Sequence, residues 1–295
     1  MQRFIDPEVL AGISGLDLIA KTVVDGFIAG LHRSPNFGFS QEFAEYRAYA
    51  PGDDLRHIDW NVFARSERAY LKRYRGETNT LLTVLLDASN SMKYASHRVS
   101  KMDYARYIAA ALFYLTTQTQ RDAAGLIVFD DELRNYIRPS NRQGQLHRLL
   151  SGLEHAEPRA RTDFSKPLEH FQEFLRRRGV AILISDFYET PDRIIRSLEP
   201  LRFRGNEVVL FHVLDPKEIR PDLRGPTTLV DLETQESIEV SPEYAREEYV
   251  RKIDAHITAL RDGARGVGMD YHLLVTDRPL DEALREYLAI RQGRS

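Results

Sequence analysis

The sequence predicts an α/β fold in which a doubly wound, mainly parallel sheet follows a small N-terminal α+β module. Five short apolar runs, almost free of polar residues, occupy residues 80–86, 123–129, 180–185, 207–214 and 269–275. Strands that are buried on both faces of a parallel sheet have this composition. Helical patterns separate most of these runs, and strands that alternate with helices favour right-handed crossovers within one sheet.

The other elements follow from local patterns. Residues 8–31 predict one or two helices, interrupted by Gly12, Gly15 and Gly26. Further helical patterns occupy residues 100–119, 163–177, 191–201, 242–264 and 279–290. The segment 130–140 follows its strand too closely for a helical crossover and therefore predicts an antiparallel edge hairpin. A second, surface hairpin is predicted over 227–241, with its turn at Thr234–Glu236. We assign residues 1–79 to the N-terminal module and residues 80–295 to the sheet domain.

The composition excludes several classes of function. The net charge of −3 attracts the chain neither to nucleic acid nor to an anionic membrane surface. The absence of cysteine rules out disulfides, thiolate zinc sites and cysteine nucleophiles. No stretch reaches the ~18 consecutive apolar residues of a membrane span, and residues 1–21 do not resemble a signal peptide. We therefore expect a cytoplasmic protein. The run Arg176–Arg178 ends a helical pattern, and we interpret it as a solvated turn rather than a site for a polyanion.

Each apolar run is followed closely by an aspartate: Asp87, Asp130, Asp186, Asp215 and Asp277. The carboxyl ends of parallel strands form the edge where α/β folds bind ligands, although aspartate at such a position is also a good turn or capping residue. In the common 3-2-1-4-5-6 strand order, the first and fourth strands are neighbours. We therefore expect Asp87 and Asp186 to converge and the other three aspartates to lie to the sides.

Asp87 is followed by two hydroxyl side chains at alternate positions, Ser89 and Ser91. Alternate side chains in an extended segment project to the same side, so one carboxylate and two hydroxyls can face a common point. Hard oxygen ligands of this kind suit Mg²⁺ or Mn²⁺. The alternative is that Ser89 and Ser91 cap the helix that follows.

A further hydroxyl, that of Thr162, precedes the fourth strand and its Asp186. Asp-x-Ser-x-Ser, then a loop threonine, then a strand-terminal aspartate resembles the metal-ion-dependent adhesion site of von Willebrand factor A domains. The resemblance covers residues 80–290. It implies that Ser89, Ser91 and Thr162 contribute hydroxyl oxygens, and that Asp87 and Asp186 bind the ion directly or through water.

The segment EFAEYRAYAPGDDLRHIDWNVFARS, residues 42–66, precedes this site. It resembles the signature of the domain-of-unknown-function 58 family, with a match from Glu42 to Met92. The signature residues are Glu45, Arg47, Tyr49, Asp53, Asp54, Arg56, Asp59, Trp60 and Arg65. They form either an interlocked structural network or a docking surface, because Trp, Tyr and Arg are frequent interface anchors. Membership implies a MoxR-type AAA+ ATPase as partner.

Together these features predict a metal-dependent protein–protein interaction module, an adaptor or co-chaperone whose client protein presents a carboxylate to the ion. A metal-assisted phosphohydrolase with Asp87 as nucleophile is the alternative. It is disfavoured because Ser89 stands where a second carboxylate is expected and because no charge-compensating lysine is evident in the sequence. In a third interpretation, the site has lost its function and the sheet is only a scaffold.

Overall fold

The computed structural model describes residues 6–31, 43–48, 70–74, 81–159, 174–175, 177–232 and 236–292. The strands are β1 (Phe43–Ala48), β2 (Tyr70–Tyr74), β3 (Leu81–Asp87), β4 (Ala123–Phe129), β5 (Leu133–Ser140), β6 (Val180–Ser185), β7 (Glu207–Leu214), β8 (Thr227–Val230), β9 (Ser237–Val240) and β10 (Asp270–Val275). The helices are α1 (Pro7–Leu10), α2 (Leu16–Leu31), α3 (Lys101–Tyr114), α4 (Gln145–Glu154), α5 (Pro191–Phe203), α6 (Pro216–Ile219), α7 (Pro242–Tyr244), α8 (Val250–Gly266) and α9 (Asp281–Gln292). A short 3₁₀ turn spans Asn90–Lys93, and π turns span Leu115–Thr119 and Ala245–Tyr249.

The main sheet has six strands in the order β10-β7-β6-β3-β4-β5. Numbered within this sheet, the order is that of the predicted 3-2-1-4-5-6 winding, which is therefore confirmed. All neighbours pair in parallel except β4 and β5, which pair antiparallel as the predicted edge hairpin. The strands β8 and β9 form the second predicted hairpin, although its turn lies mainly outside the described residues.

Alternate side chains of the central strands enter two hydrophobic cores, one on each face of the sheet. Val84 and Leu86 pack with residues of α2, α3, α4 and α9 on the first face. Leu85 packs with residues of α5 and α8 on the second face. Because successive side chains of a strand point to opposite faces, a strand covered on both sides needs an unbroken apolar run. The mainly parallel α/β class predicted from these runs is confirmed.

The N-terminal residues form helices and a separate small sheet. Gly12 and Gly15 lie between α1 and α2, as predicted, but α2 continues through Gly26 without interruption. The predicted break at Gly26 is wrong because the neighbouring Val23, Val24 and Phe27 are buried in the first core, where packing outweighs the low helix propensity of one glycine. The strands β1 and β2 pair antiparallel. The predicted helix over 163–177 lies almost entirely outside the described residues.

In the described part of the chain, no helix combines the length and the apolar character needed to cross a membrane.

Candidate metal centre

Two of the predicted site residues end neighbouring strands at the centre of the sheet. Asp87 is the last residue of β3, and Asp186 directly follows β6, which pairs with β3. Both side chains are fully buried, as is that of Ser89, and Ser91 is nearly so. The fold therefore brings Asp87, Ser89, Ser91 and Asp186 to the same edge of the sheet, where the predicted strand order places the ligand crevice.

Hydrogen bonds within the turn after β3 hold the two serines. The Ser89 backbone N–H donates to Asp87 Oδ1 at 2.9 Å, and the Ser89 and Ser91 hydroxyls are hydrogen-bonded to each other at 3.0 Å. Ser89 precedes the 3₁₀ turn, but its side chain makes no capping hydrogen bond. The next full helix, α3, is capped by Ser100 instead. The interpretation of Ser89 as a helix cap is therefore wrong, and its hydroxyl interacts with the Asp87 carboxylate instead.

The two aspartates repel each other in a buried environment. Burial, followed by the negative charge of Asp186, raises the pKa of Asp87 from 3.8 to about 7, although hydrogen bonds from Ser185 and Ser89 oppose the shift. Asp186 Oδ1 is buried and has no hydrogen-bond partner among the described residues. A buried carboxylate oxygen without a partner is costly. The carboxyl ends of β3 and β6 thus carry negative charge that the described hydrogen bonds satisfy only in part.

A buried lysine lies beside this pair, contrary to the expectation from sequence. Lys101, the first residue of α3, donates from Nζ to Asp186 Oδ2 at 2.7 Å and to Glu218 Oε1 at 2.6 Å. Its ammonium also lies 4.7 Å from the centre of the Tyr188 ring. Burial lowers the pKa of Lys101, but Asp186 and Glu218 together outweigh burial and raise it above its ordinary value. Lys101 is therefore a charged residue of the site.

Ser185 is a further residue that sequence reasoning missed. Its hydroxyl donates to Asp87 Oδ2 at 2.6 Å and accepts from the Phe187 backbone N–H at 2.9 Å. Phe187 has a φ of 50°, in the left-handed region that a bulky residue seldom adopts. Backbone strain of this kind clusters at functional sites. Ser185 thus ties the end of β3 to the strained turn that carries Asp186.

Local signals for these missed residues do exist. A lysine in the first turn of a helix is unfavourable to the helix dipole, so Lys101 at that position indicates a specific anionic partner. Glu218 belongs to a capping box with Asp215 at the start of α6, which accounts for the residue type without revealing its bond to Lys101. The partner of each could not be read from the sequence because Lys101 is 85 residues from Asp186 and 117 from Glu218.

The other strand-end aspartates have structural roles or lie at the surface. Asp130 forms an ion pair with Arg134 at 2.7 Å. Asp215 caps α6, accepting from the Lys217 backbone N–H at 2.8 Å. Asp277 is exposed. The expected separation of these three from the central pair is confirmed.

Several predicted site residues fall outside the described residues. Thr162 is one, so its relation to Asp87 stays a prediction. Tyr49, Asp53, Asp54, Arg56, Asp59, Trp60 and Arg65 of the signature are the others. Glu45 and Arg47 lie in β1, where they are paired with Arg73 and Leu71 of β2.

The chemistry of the site fits a hard divalent cation. In the ranges that the structure describes, no three His, Cys, Asp or Glu side chains cluster as a metal site. A cation here would therefore depend on hydroxyl oxygens in addition to carboxylates. The site offers only oxygen ligands, which Mg²⁺ prefers: those of Asp87, Ser89 and Ser91, and Asp186 Oδ1, which has no partner within the described ranges.

His212, in β7, belongs to the core. It is fully buried, and its Nδ1 is hydrogen-bonded to the Tyr271 hydroxyl at 2.7 Å. Burial and then the nearby His256 lower its pKa to about 3, so the imidazole is neutral at physiological pH. His212 is therefore a core residue rather than a member of the candidate site.

Comparison with known proteins places the chain in a family. Residues 45–259 match the family described as "Protein of unknown function DUF58". An uncharacterized protein of Mycobacterium tuberculosis is 30% identical over 293 residues, which cover 98% of this chain and 92% of that protein. The conserved hypothetical protein BatB from Bacteroides thetaiotaomicron has a similar fold, with a TM-score of 0.51 at 15% identity over 73% of this chain and 100% of that one.

A von Willebrand factor type A protein from Catenulispora acidiphila is also matched, with a TM-score of 0.42 at 11% identity over 72% of this chain and 41% of that one. The family match covers most of the sheet domain and begins inside the N-terminal signature, and the mycobacterial match extends over nearly the whole chain. The chain therefore belongs to the DUF58 family of proteins of unknown function.

Proposed function

We propose that the chain is a metal-dependent protein–protein interaction module of the von Willebrand factor A type, with Mg²⁺ or Mn²⁺ at the carboxyl ends of β3 and β6. The observation that carries the proposal is the buried Asp186 Oδ1, which has no hydrogen-bond partner among the described residues, beside Asp87, whose pKa is raised to about 7. Two carboxylates in this state favour a cation between them. Lys101 does not fill that role, because it bonds the other oxygen of Asp186 and shares its charge with Glu218.

The residues that would hold the ion are Asp87, Ser89, Ser91 and Asp186, with Thr162 as the fifth. A bound divalent ion would supply an open coordination position that accepts a carboxylate from another protein. The charges support this use. The divalent ion would balance Asp87 and Asp186, while Lys101 and Glu218 balance each other, so an incoming carboxylate would meet little net repulsion.

The partners follow from family resemblance. We propose a MoxR-type AAA+ ATPase as partner and a client protein whose Asp or Glu reaches the ion, with the chain acting as a cytoplasmic adaptor or co-chaperone. The aromatic and arginine residues of the N-terminal signature are the candidate contact with the ATPase, because such residues anchor interfaces.

The double variant Ser89→Ala with Ser91→Ala tests the metal-dependent mechanism. In the unaltered protein, Mg²⁺ at about 100 times its Kd should stabilise the fold by about 2.7 kcal/mol, measured by urea unfolding with and without EDTA. The variant should lose this response while its stability in EDTA changes little. Ser151→Ala with Ser197→Ala, which removes two partly buried helical hydroxyls elsewhere, is the matched control and should keep the response.

Partner capture is tested with the same variants. A MoxR-type AAA+ ATPase itself uses Mg²⁺, so the serine variant separates the two metal sites where EDTA cannot. Binding of the purified ATPase and its client complex to immobilised protein should be lost in the serine variant and retained in the control. Capture that is unchanged in the serine variant would overturn the adhesion-site mechanism.

A metal-assisted phosphohydrolase is the second candidate function, and Lys101 is the observation that favours it. A buried ammonium at 2.7 Å from a strand-end carboxylate can compensate phosphate charge. Against it, position 89 is a serine rather than a second carboxylate. Mg²⁺-dependent turnover of a generic phosphate ester, abolished by Asp87→Asn, would favour the enzyme over the interaction module.

A further inference from the structure

We propose that the opposite end of the sheet carries a second binding site, a cavity that recognises a polyphosphate chain. This cavity has a volume of about 870 Å³, which is within the range of small-molecule sites. Its lining includes five arginines: Arg138, Arg142, Arg148, Arg177 and Arg178. In the structure as described, no aspartate or glutamate lines it. The proposal is independent of the metal centre.

The cavity is well separated from the aspartates. Its lining includes Leu81 and Ala123, the first residues of β3 and β4, and Ser140, the last residue of β5. Asp87 lies at the other end of β3, which spans about 20 Å at a rise of about 3.3 Å per residue. A ligand in the cavity would therefore not contact the candidate metal centre.

The five guanidinium groups have no acidic partner in the part of the chain that the structure describes. None of them takes part in the ion pairs found there, whereas arginines such as Arg134, Arg220 and Arg285 do. All five side chains are exposed. Like charges around a concave surface repel one another and focus a positive potential into it. An anion that enters the cavity relieves this repulsion.

The backbone that carries the arginines is held in place by buried contacts. The Gln145 side chain, 4% exposed, donates to the Ala124 carbonyl oxygen at 2.8 Å and to the Arg138 carbonyl oxygen at 3.0 Å. This joins the first residue of α4 to both strands of the edge hairpin. Pro139 lies directly against Gly125 of β4, where a Cβ would come within 2.6 Å of the proline ring. Arg138, Arg142 and Arg148 thus project from a fixed corner.

The two remaining arginines, Arg177 and Arg178, belong to the run that was interpreted from the sequence as a solvated turn, but they lie at the neighbouring strand end and line the cavity. Gly179 follows Arg178, and a Cβ at this glycine would lie 2.3 Å from the Leu81 carbonyl oxygen. This close backbone approach places Arg177 and Arg178 beside the start of β3. The cavity therefore combines arginines from a strand, a helix and a loop, and its rim also includes the first residue of a ten-residue helix, whose dipole favours anions.

The donor count indicates a polyphosphate rather than a single phosphate. Each guanidinium presents a planar fork of N–H donors that matches phosphate oxygens in pairs. Five such forks offer more donors than one phosphate group has oxygens to accept them. The apolar side chains of Leu81 and Ile137 in the same lining leave room for the sugar or base of a nucleotide, so the polyphosphate is either inorganic or that of a nucleoside triphosphate.

Calorimetric titration of the full chain in EDTA tests the site, because EDTA keeps the metal centre out of the measurement. The probes are inorganic tripolyphosphate, ATP and a ten-residue polyglutamate. We expect tripolyphosphate to bind, with an affinity that falls steeply as the salt concentration rises. The double variant Arg142→Gln with Arg148→Gln should lower the affinity for tripolyphosphate at least about tenfold, because it loses charge-assisted hydrogen bonds. The control Arg251→Gln with Arg265→Gln removes two exposed arginines of α8 and should not change the affinity.

Each outcome of the titrations either supports or overturns the polyphosphate site. Binding of tripolyphosphate that the cavity variant loses and the control keeps supports the site, and a tighter fit for ATP then identifies the ligand as a nucleotide. Absence of binding, or equal weakening by both variants, overturns the proposal. Polyglutamate that binds as tightly as tripolyphosphate overturns it in favour of an acidic protein segment. Thermal melting of each variant by circular dichroism verifies that it is folded.

Discussion

Asp87→Asn should stabilise the metal-free protein at pH 8, although it alters a residue of the proposed site. Burial and the charge of Asp186 raise the pKa of Asp87 from 3.8 to about 7, and a tenfold change in proton affinity corresponds to about 1.4 kcal/mol. The ionised carboxylate therefore costs the folded state about 4 kcal/mol at pH 8. Asparagine removes that charge and gives up one accepted hydrogen bond, such as that from Ser89 or Ser185, at about 1–2 kcal/mol. The net gain is about 2–3 kcal/mol.

The size of this effect depends on pH. Because the folded-state pKa of Asp87 is raised, its contribution to stability is fully present below pH 3.8 and is lost as pH rises to about 7. At pH 5 a penalty of about 1.6 kcal/mol remains, and the hydrogen bond that Asp87→Asn gives up offsets it. The advantage of the variant should therefore be large at pH 8 and close to zero at pH 5. Urea unfolding in EDTA at both pH values gives the two free energies of unfolding. The same variant should no longer respond to Mg²⁺.

Asp215→Asn is the matched control, since it is another buried aspartate just beyond a strand of the same sheet. Asp215 accepts hydrogen bonds from the Ser96 backbone N–H at 2.8 Å and from the Lys217 backbone N–H at 2.8 Å. Its substitution should destabilise the protein by about 1–3 kcal/mol at both pH values. If Asp87→Asn were instead as destabilising at pH 8 as this control, the electrostatic account of the central pair would be wrong.

Three further substitutions test contacts at both ends of the sheet, two at the metal centre and one beside the arginine-lined cavity, each by urea unfolding in EDTA. Lys101→Met should cost about 3–5 kcal/mol because it leaves Asp186 and Glu218 without their buried cation; a loss below about 1 kcal/mol would contradict that pairing. Glu218→Gln should cost less, since Lys101 keeps its bond to Asp186 and Glu218 is partly exposed. Gly179→Ala should cost about 1–3 kcal/mol, because its Cβ would lie 2.3 Å from the Leu81 carbonyl oxygen, and a neutral result would refute that close approach.

The strand order could be predicted because it depends on local patterns and on one general winding rule. The unbroken apolar runs identified strands covered on both faces, and the short link after Phe129 identified the edge hairpin that β4 and β5 form. The predicted helix break at Gly26 was wrong because tertiary packing, which local patterns do not show, decides the structure there. Propensity is a local quantity, and the burial of Val23, Val24 and Phe27 in the first core outweighs it.

The sequence by itself determined the residue types of the candidate site and the strands that carry them, because strand ends and turn spacing are local properties of the chain. It could not determine which charges meet. Only the tertiary structure decided that Lys101 pairs with Asp186, that Ser185 bonds Asp87, and that one oxygen of Asp186 has no partner in the described part of the chain. Such contacts join residues about a hundred positions apart, and their energies depend on burial and on distances of a few ångströms, which packing alone sets.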